Sequence, residues 1–165
     1  MRQKADVVVI GGGIAGLMTA LYLAEDGADV ALIEADELGA QASGANAGSI
    51  HLQIQYPEFV AYGEGWARAY APCLRLLTDS LTLWQGLSDR VGEDLQVKLA
   101  GGLVVARTDA QMHAIAAKAV IEAEVGVETV LLNAADLRSI APYLGADAIG
   151  AGYCAREGKA NPLRA

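Results

Sequence analysis

Apolar residues fall into two unlike patterns near the start of the chain. Val7 to Ile10 is an unbroken β-branched run, as expected of a strand buried on both faces of a parallel sheet rather than one alternating between core and solvent. Gly11 to Gly13 interrupt it. Ile14, Leu17, Met18, Leu21 and Tyr22 then recur at helical spacing, and Gly27 is placed to close the helix after Glu25 and Asp26. Ala28 to Ile33 form a second, mostly apolar run that ends at Glu34. Strand, helix and strand in this order predict a βαβ unit, whose right-handed crossover makes the two strands parallel members of one sheet.

The pattern changes after Glu34. "ADELGAQASGANAGSIHLQ" is a small-residue loop that can lie against a ligand, because few side chains hold its backbone away. Glu64 to Val91 predicts a helical region interrupted near Pro72 and again at Gly86, with Trp66, Leu74, Leu77, Leu81 and Trp84 as core positions. Leu95 to Thr108 predicts two strands meeting near Gly101 and Gly102, which belong to a turn or tight bend, and suggests an antiparallel sheet. Asp109 is expected to cap a helix through about Val125, followed by a strand from Glu128 to Leu132. Asn133 opens a short helix stopped by Pro142, and Ile149 to Ala155 is one more strand.

Asn161 and Pro162 carry the N-cap and N1 signature of a helix start, yet only Leu163, Arg164 and Ala165 follow. Only the two opening strands look parallel, whereas a stable sheet generally needs three or more. The expectation is a chain that stops inside an element: a fragment of a longer chain, or one part of a fold completed by a second polypeptide.

Bulk properties narrow the function classes. The 165 residues are 53% hydrophobic and 19% charged, which is globular rather than disordered. A net charge of -8 argues against nucleic acid, whose phosphates need clustered Lys and Arg. No apolar run approaches the roughly 20 residues that span a bilayer, and the N-terminus lacks a signal-peptide pattern, so a cytoplasmic location is expected. Cys73 and Cys154 stand far apart without a CxxC partner, so neither a disulfide framework nor a metal site is expected.

The chemistry is carried by the opening unit. Gly11, Gly13 and Gly16 fit G-x-G-x-x-G directly between strand and helix. Gly11 allows the tight turn, Gly13 lets the backbone approach a pyrophosphate, and Gly16 permits close helix-strand packing. The N–H groups of the helix start, at Ile14 and Ala15, attract the anion without a lysine. Glu34, about 20 residues downstream, is placed to accept hydrogen bonds from an adenosine ribose and to repel a 2′-phosphate. These features do not separate FAD from NAD, since both present ADP to the same unit.

Resemblance separates them. The opening stretch, "ASGANAGSI", "GGLVVART" and "LLNAADLRSIAPYLGADAIGAGYCAREGKANPLRA" together resemble the N-terminal half of the FAD-dependent D-amino acid oxidase and glycine oxidase family, including amine-oxidising subunits of the hydrogen cyanide synthase and opine oxidase type. The resemblance covers essentially the whole chain. It implies FAD as cofactor, and it makes Ala42, Ser43, Gly44, Asn46, Ala47 and Gly48 candidate FAD contacts. It also implies a fold class: α/β, with a Rossmann-like FAD-binding βαβ unit plus part of an α+β substrate domain with antiparallel strands, incomplete in this chain. The implied divisions are 1–50 for the FAD-binding part, 51–92 for a helical connection, 93–155 for part of the substrate domain, and 156–165 for the return to the FAD-binding domain.

The implied reaction oxidises a small-molecule amine or amino acid to an imine by hydride transfer to flavin. The isolated chain is expected not to turn over substrate, and a membrane-associated electron acceptor and a second chain are left open. No catalytic residue is assigned. His51 and His113 read as packed or solvated histidines, and Arg68, Arg75 and Arg107 as surface arginines rather than carboxylate anchors. Two alternatives stay open: a noncatalytic dinucleotide-binding module or subunit, and an NAD-dependent dehydrogenase.

Overall fold

The computed structural model describes residues 4–165, which divide into two compact units. One runs to Gly48 and takes in Ala160–Ala165; the other is Ser49–Lys159.

The first unit holds strand β1 (Val7–Ile10), helix α1 (Ile14–Glu25) and strand β2 (Val30–Ile33), and the two strands pair in parallel from Val7 opposite Val30 to Ile10 opposite Ile33. The expected βαβ unit is present, with β2 shorter than Ala28 to Ile33 because the chain turns at Gly27, where φ is +89°. One expectation is overturned. The strands are not buried on both faces: Val8, Ile10 and Ile33 are exposed, Ile10 to 84%. The alternation along β1 follows from period-two geometry with one face packed against α1 and the other uncovered by the described residues.

The second unit begins with a two-residue strand β3 (Ser49–Ile50) and continues through helices α2 (Tyr56–Tyr70) and α3 (Cys73–Val91). Helix starts earlier than Glu64 because Pro57 occupies the first turn, where its fixed φ suits a helix and its missing N–H costs nothing. The helix kinks at Gly63, whose φ of 76° is left-handed, and the break near Pro72 is where expected. Gly86 does not break α3. Leu81 and Leu87 on either side of it are buried, and that tertiary anchorage overrides the weak helix preference of a single glycine. Leu74 is also buried, whereas Trp66, Leu77 and Trp84 are half-buried.

Strand β4 (Gly102–Ala106), helix α4 (Asp109–Ala123), strand β5 (Val130–Asn133), helix α5 (Ala134–Ile140), strand β6 (Gly150–Cys154) and strand β7 (Gly158–Lys159) complete the unit. The antiparallel sheet has the order β4-β6-β5, and β3 pairs with β7. Of the two strands expected between Leu95 and Thr108, only Gly102–Ala106 forms one. Lys98 instead bridges Lys159, and β4 takes β6 as its partner from Gly102 opposite Cys154 to Ala106 opposite Gly150. Gly101, at φ +91°, redirects the chain between those two pairings, so of the turn or tight bend expected at the glycine pair the structure has the bend.

Capping follows local chemistry, with one displacement. Asn133 caps α5 by accepting from the amides of Ala135 and Asp136, as expected. For α4 the cap is Thr108, whose hydroxyl accepts from Gln111, and Asp109 is instead the first helical residue, where its charge favours the positive end of the helix. Asn161 and Pro162 open a tight turn in which Arg164 and Ala165 both donate to the Asn161 carbonyl. The main core lies in the second unit, where Leu52, Ile54, Phe59, Leu74, Leu81, Ile121 and Val127 pack together; a smaller cluster forms around Leu137 and Ala151.

Candidate functional site: the glycine turn of the first unit

Strand β1 ends by turning sharply at Gly11, whose φ of 107° is closed to most side chains, while its N–H donates to the Ile33 carbonyl at the end of β2. The turn delivers Gly13 as the N-cap of α1. Being glycine, Gly13 places no side chain over the helix end, and the first turn carries no acidic residue. An anion therefore meets the positive end of the helix without a competing carboxylate. Gly16 lies one turn later, where an added Cβ would sit 1.9 Å from the Gly11 carbonyl oxygen; only hydrogen lets helix and turn approach this closely.

Glu34 completes the turn from the other side. Its carboxylate accepts from the N–H of Gly12, which lies 22 residues earlier, and from Ala35 and Asp36 at 2.8 and 3.0 Å. The Gly12 N–H, followed by that of Asp36, holds the Glu34 carboxyl below the usual carboxylate range. The carboxylate is thereby oriented and kept ionised as a hydrogen-bond acceptor.

The small-residue loop folds back onto the same turn. Ser43 Oγ accepts from Ile14 N–H at 3.0 Å, which brings the loop to the start of α1, and Gly39 donates to the Gly12 carbonyl at 2.9 Å. Asn46 staples the loop internally: its Nδ2 donates to the carbonyls of Ala42 and Ser43, and its Oδ1 accepts from Gly48 N–H. Gly48, at φ +68°, packs against the Ala160 carbonyl, where a Cβ would come within 2.1 Å; Gly44 is similarly close to the Gly39 carbonyl, at 2.5 Å. Ala15 and Ala47 are exposed. Thus Gly11, Gly13, Ile14, Gly16, Glu34 and Ser43 form one cluster, whereas Ala42, Gly44, Asn46, Ala47 and Gly48 belong to the loop attached to it.

Gly12 was missed by the motif, in which it stands at a variable position. It is buried, and a Cβ there would lie 2.5 Å from the Leu38 side chain and 3.1 Å from Glu34. The run of glycines was a visible signal, but the contacts that require the middle one come from a distant segment.

The other candidates lie in the second unit. His51 is half exposed, with Nδ1 3.9 Å from the Glu157 carboxylate, and His113 is an exposed residue of α4. Arg68 is paired with Glu124 and Arg107 with Asp147, each at 2.7 Å, and Arg75 is exposed on α3. Cys73 and Cys154 are both free thiols; burial pushes the Cys154 thiol up, away from thiolate chemistry. Among the described residues no cluster suited to a metal ion exists, and no helix is long and apolar enough to cross a membrane.

The family model for FAD dependent oxidoreductases matches residues 6–165. The chain belongs to that family. One of the opine oxidase subunits of Rhizobium meliloti is 26% identical across 97% of this chain and 42% of its own length. Among solved structures, L-proline dehydrogenase from P. horikoshii superposes with a TM-score of 0.80 at 26% identity, over 99% of this chain and 40% of that one. Glycine oxidase from Bacillus cereus superposes with a TM-score of 0.72 at 27% identity, over 98% of this chain and 41% of that one. The chain thus spans about 40% of the length of these relatives. Membership of an FAD-dependent family sets aside the NAD-dependent alternative.

The residues present fit FAD. A phosphate-sized anion has a helix start whose first turn carries no acidic residue and whose Gly13 adds no side chain, with Ser43 Oγ the side-chain acceptor already there on the Ile14 N–H, and a ribose has an oriented carboxylate in Glu34.

Proposed function

We propose that the protein is an FAD-dependent oxidoreductase that oxidises an amine or amino acid to an imine, and that this chain supplies its N-terminal part. The observation carrying this reading is the oriented, ionised Glu34 carboxylate set against the glycine-rich start of α1, whose first turn carries no acidic residue, within a chain of the FAD dependent oxidoreductase family. When bound, FAD supplies the electron sink that takes a hydride from the substrate's α-carbon, leaving an imine for water to hydrolyse. The chain's own residues bind and orient. The N–H groups at Gly13 and Ala15 meet the pyrophosphate beside Ser43, whose Oγ already accepts from Ile14, Glu34 accepts from the ribose hydroxyls, and Gly11 and Gly16 keep turn and helix close enough for both contacts. Ala42, Ser43, Gly44, Asn46, Ala47 and Gly48 carry the cofactor onward along the loop.

The second unit, with its antiparallel β4-β6-β5 sheet, is the substrate-binding part in this reading. A second chain is a natural companion, since the relative in Rhizobium meliloti is named as a subunit. The protein works in the cytoplasm and passes electrons to an acceptor that is either soluble or membrane-associated. The test is to isolate the protein from its native source, measure its flavin content, and follow anaerobic dye reduction with a panel of primary and secondary amines and amino acids. Bound FAD with amine-dependent reduction is expected. Bound FAD without reduction by any of them, in the intact assembly, would replace this reading with a noncatalytic nucleotide-binding subunit.

A further inference from the structure

The segment after β3 bends at Gln53, residues 52–54 have no strand partner, and Leu52 and Ile54 are fully buried. Three successive buried N–H groups without a ladder would each carry a substantial penalty. Two carboxylates take them. Glu157 Oε1 accepts from Leu52 and Gln53, both at 2.7 Å, and Glu122 Oε1 accepts from Ile54 at 2.6 Å. The same groups form one buried network. Gln53 Nε2 donates to Glu157 Oε2 at 3.1 Å, Gln53 Oε1 accepts from Lys118 Nζ at 3.1 Å, and Lys118 pairs with Glu122 at 2.6 Å. Thr129 donates to the remaining Glu122 oxygen.

Lys118 and Glu122 are 0% exposed, Glu157 3% and Gln53 5%. Burying two carboxylates and one ammonium is costly in desolvation, and a well-packed aliphatic group is often the more stable choice. Space has nonetheless been cleared for it: a Cβ on Gly102 would stand 1.9 Å from Glu157 Oε2. What the network holds is one wall of a cavity of about 360 Å³, lined by His51, Gln53, Tyr56, Glu157 and the backbone side of β4.

We propose that Glu157 is a positioning residue for substrate binding: through the amides of Leu52 and Gln53 and the Gln53 carboxamide, it fixes the wall of a cavity that receives the amine. This rests on the oxidoreductase reading above. Glu157 does no chemistry itself. Its carboxylate supplies acceptors where the backbone has none, and the half-exposed His51 and the Gln53 side chain keep their places as a result.

The hydrogen-bond pattern supplies its own test. Glu157→Gln sets an amide donor against Gln53 Nε2 or against the two backbone N–H groups, and Gln53→Glu sets two carboxylates face to face. Together, Glu157→Gln with Gln53→Glu restores every bond with donor and acceptor exchanged, Lys118 still donating to residue 53, and leaves the net charge unchanged. In the FAD-loaded full-length protein, hydrogen exchange of peptides covering residues 50–57 should accelerate about tenfold in Glu157→Gln, without a change in β4 or β6. The KM for the amine should rise about tenfold while kcat and FAD content hold within about twofold. The double variant should restore both. Accelerated exchange throughout Ser49–Lys159 with unchanged KM, no change at all, or a double variant as impaired as the single would overturn the proposal. If Glu157→Gln does not fold, Gln53→Ala, which keeps both backbone bonds, should still raise KM, and an unchanged KM there overturns the proposal. A wild-type protein that binds FAD but oxidises no amine refutes the functional reading and, with it, the cavity's role as an amine site; the exchange pattern then separately decides whether Glu157 holds the segment.

Discussion

The two units hold their chains by different means. In Ser49–Lys159, aliphatic side chains from α2, α3 and α4 are removed from water together, each contributing about 1.5–3 kcal/mol before entropy is counted. In the first unit, the described residues bury no apolar side chain larger than Ala160, and one face of the β1-β2 pair is open. That unit is organised by glycine contacts and by hydrogen bonds converging on Gly12, Glu34 and Ser43. One region spends its sequence on a core, the other on a tight turn and the loop bonded to it. A two-stranded parallel pair is marginal by itself, so the first unit should gain far more from a bound nucleotide than the second does from its own packing partners.

The largest expected effect separates the units by truncation. Leu81→Ala or Ile121→Ala should destabilise the second unit by about 2–5 kcal/mol in urea unfolding, since both are fully buried. Ile10→Ala, in this chain, should cost under about 0.5 kcal/mol, because its side chain is already in water. Comparable losses would break the contrast.

Gly16→Ala comes next. Its new Cβ would meet the backbone of Gly11, not a movable side chain, so a penalty of about 1–3 kcal/mol is expected. FAD titration should then show affinity lower by about 5- to 150-fold. The unfolding midpoint of the second unit should stay where it is.

Glu34→Gln keeps shape and loses charge. Roughly fivefold in FAD affinity is the expected loss. Full retention of affinity would remove Glu34 from the ribose site.

The smallest effect is in pH. Because N–H donors hold the Glu34 carboxyl below its ordinary value, its contribution is present above the unfolded pKa and disappears as pH falls through the folded one. FAD affinity should therefore be flat through neutral and mildly acid pH and fall only below the ordinary carboxylate range, and Glu34→Gln should lack that acid limb. An acid limb of equal size in the variant would assign it to another carboxylate.

Much of the first unit was legible in the chain because its determinants are local. Val7 to Ile10, the glycines and the apolar spacing of α1 act within a few residues of one another, and Glu34 is recognised by its distance from the turn. Local chemistry also placed the Asn133 cap, whose acceptor and donors are two and three residues apart. The Thr108 cap was missed by one position because Thr and Asp are both good N-caps and stand side by side.

Tertiary structure alone decided the remainder. Nothing between Leu95 and Thr108 says that β4 will pair with residues 150–154 and not with its immediate neighbours, since a strand's partner is set by long-range packing rather than by its own composition. The same holds for the two-residue strands β3 and β7, too short to leave a periodic signal. Lys118 and Glu122, read along the chain, are an ordinary helical i, i+4 pair that belongs on a solvated face. Only the fold brings Glu157, more than a hundred residues from Leu52 and Gln53, to amides with no strand partner, and only there does a charged pair become the support of a cavity wall. Sequence determined the elements and the glycine turn because their causes are short-ranged; the fold determined partners and burial because hydrogen bonding and desolvation depend on which distant groups share the interior.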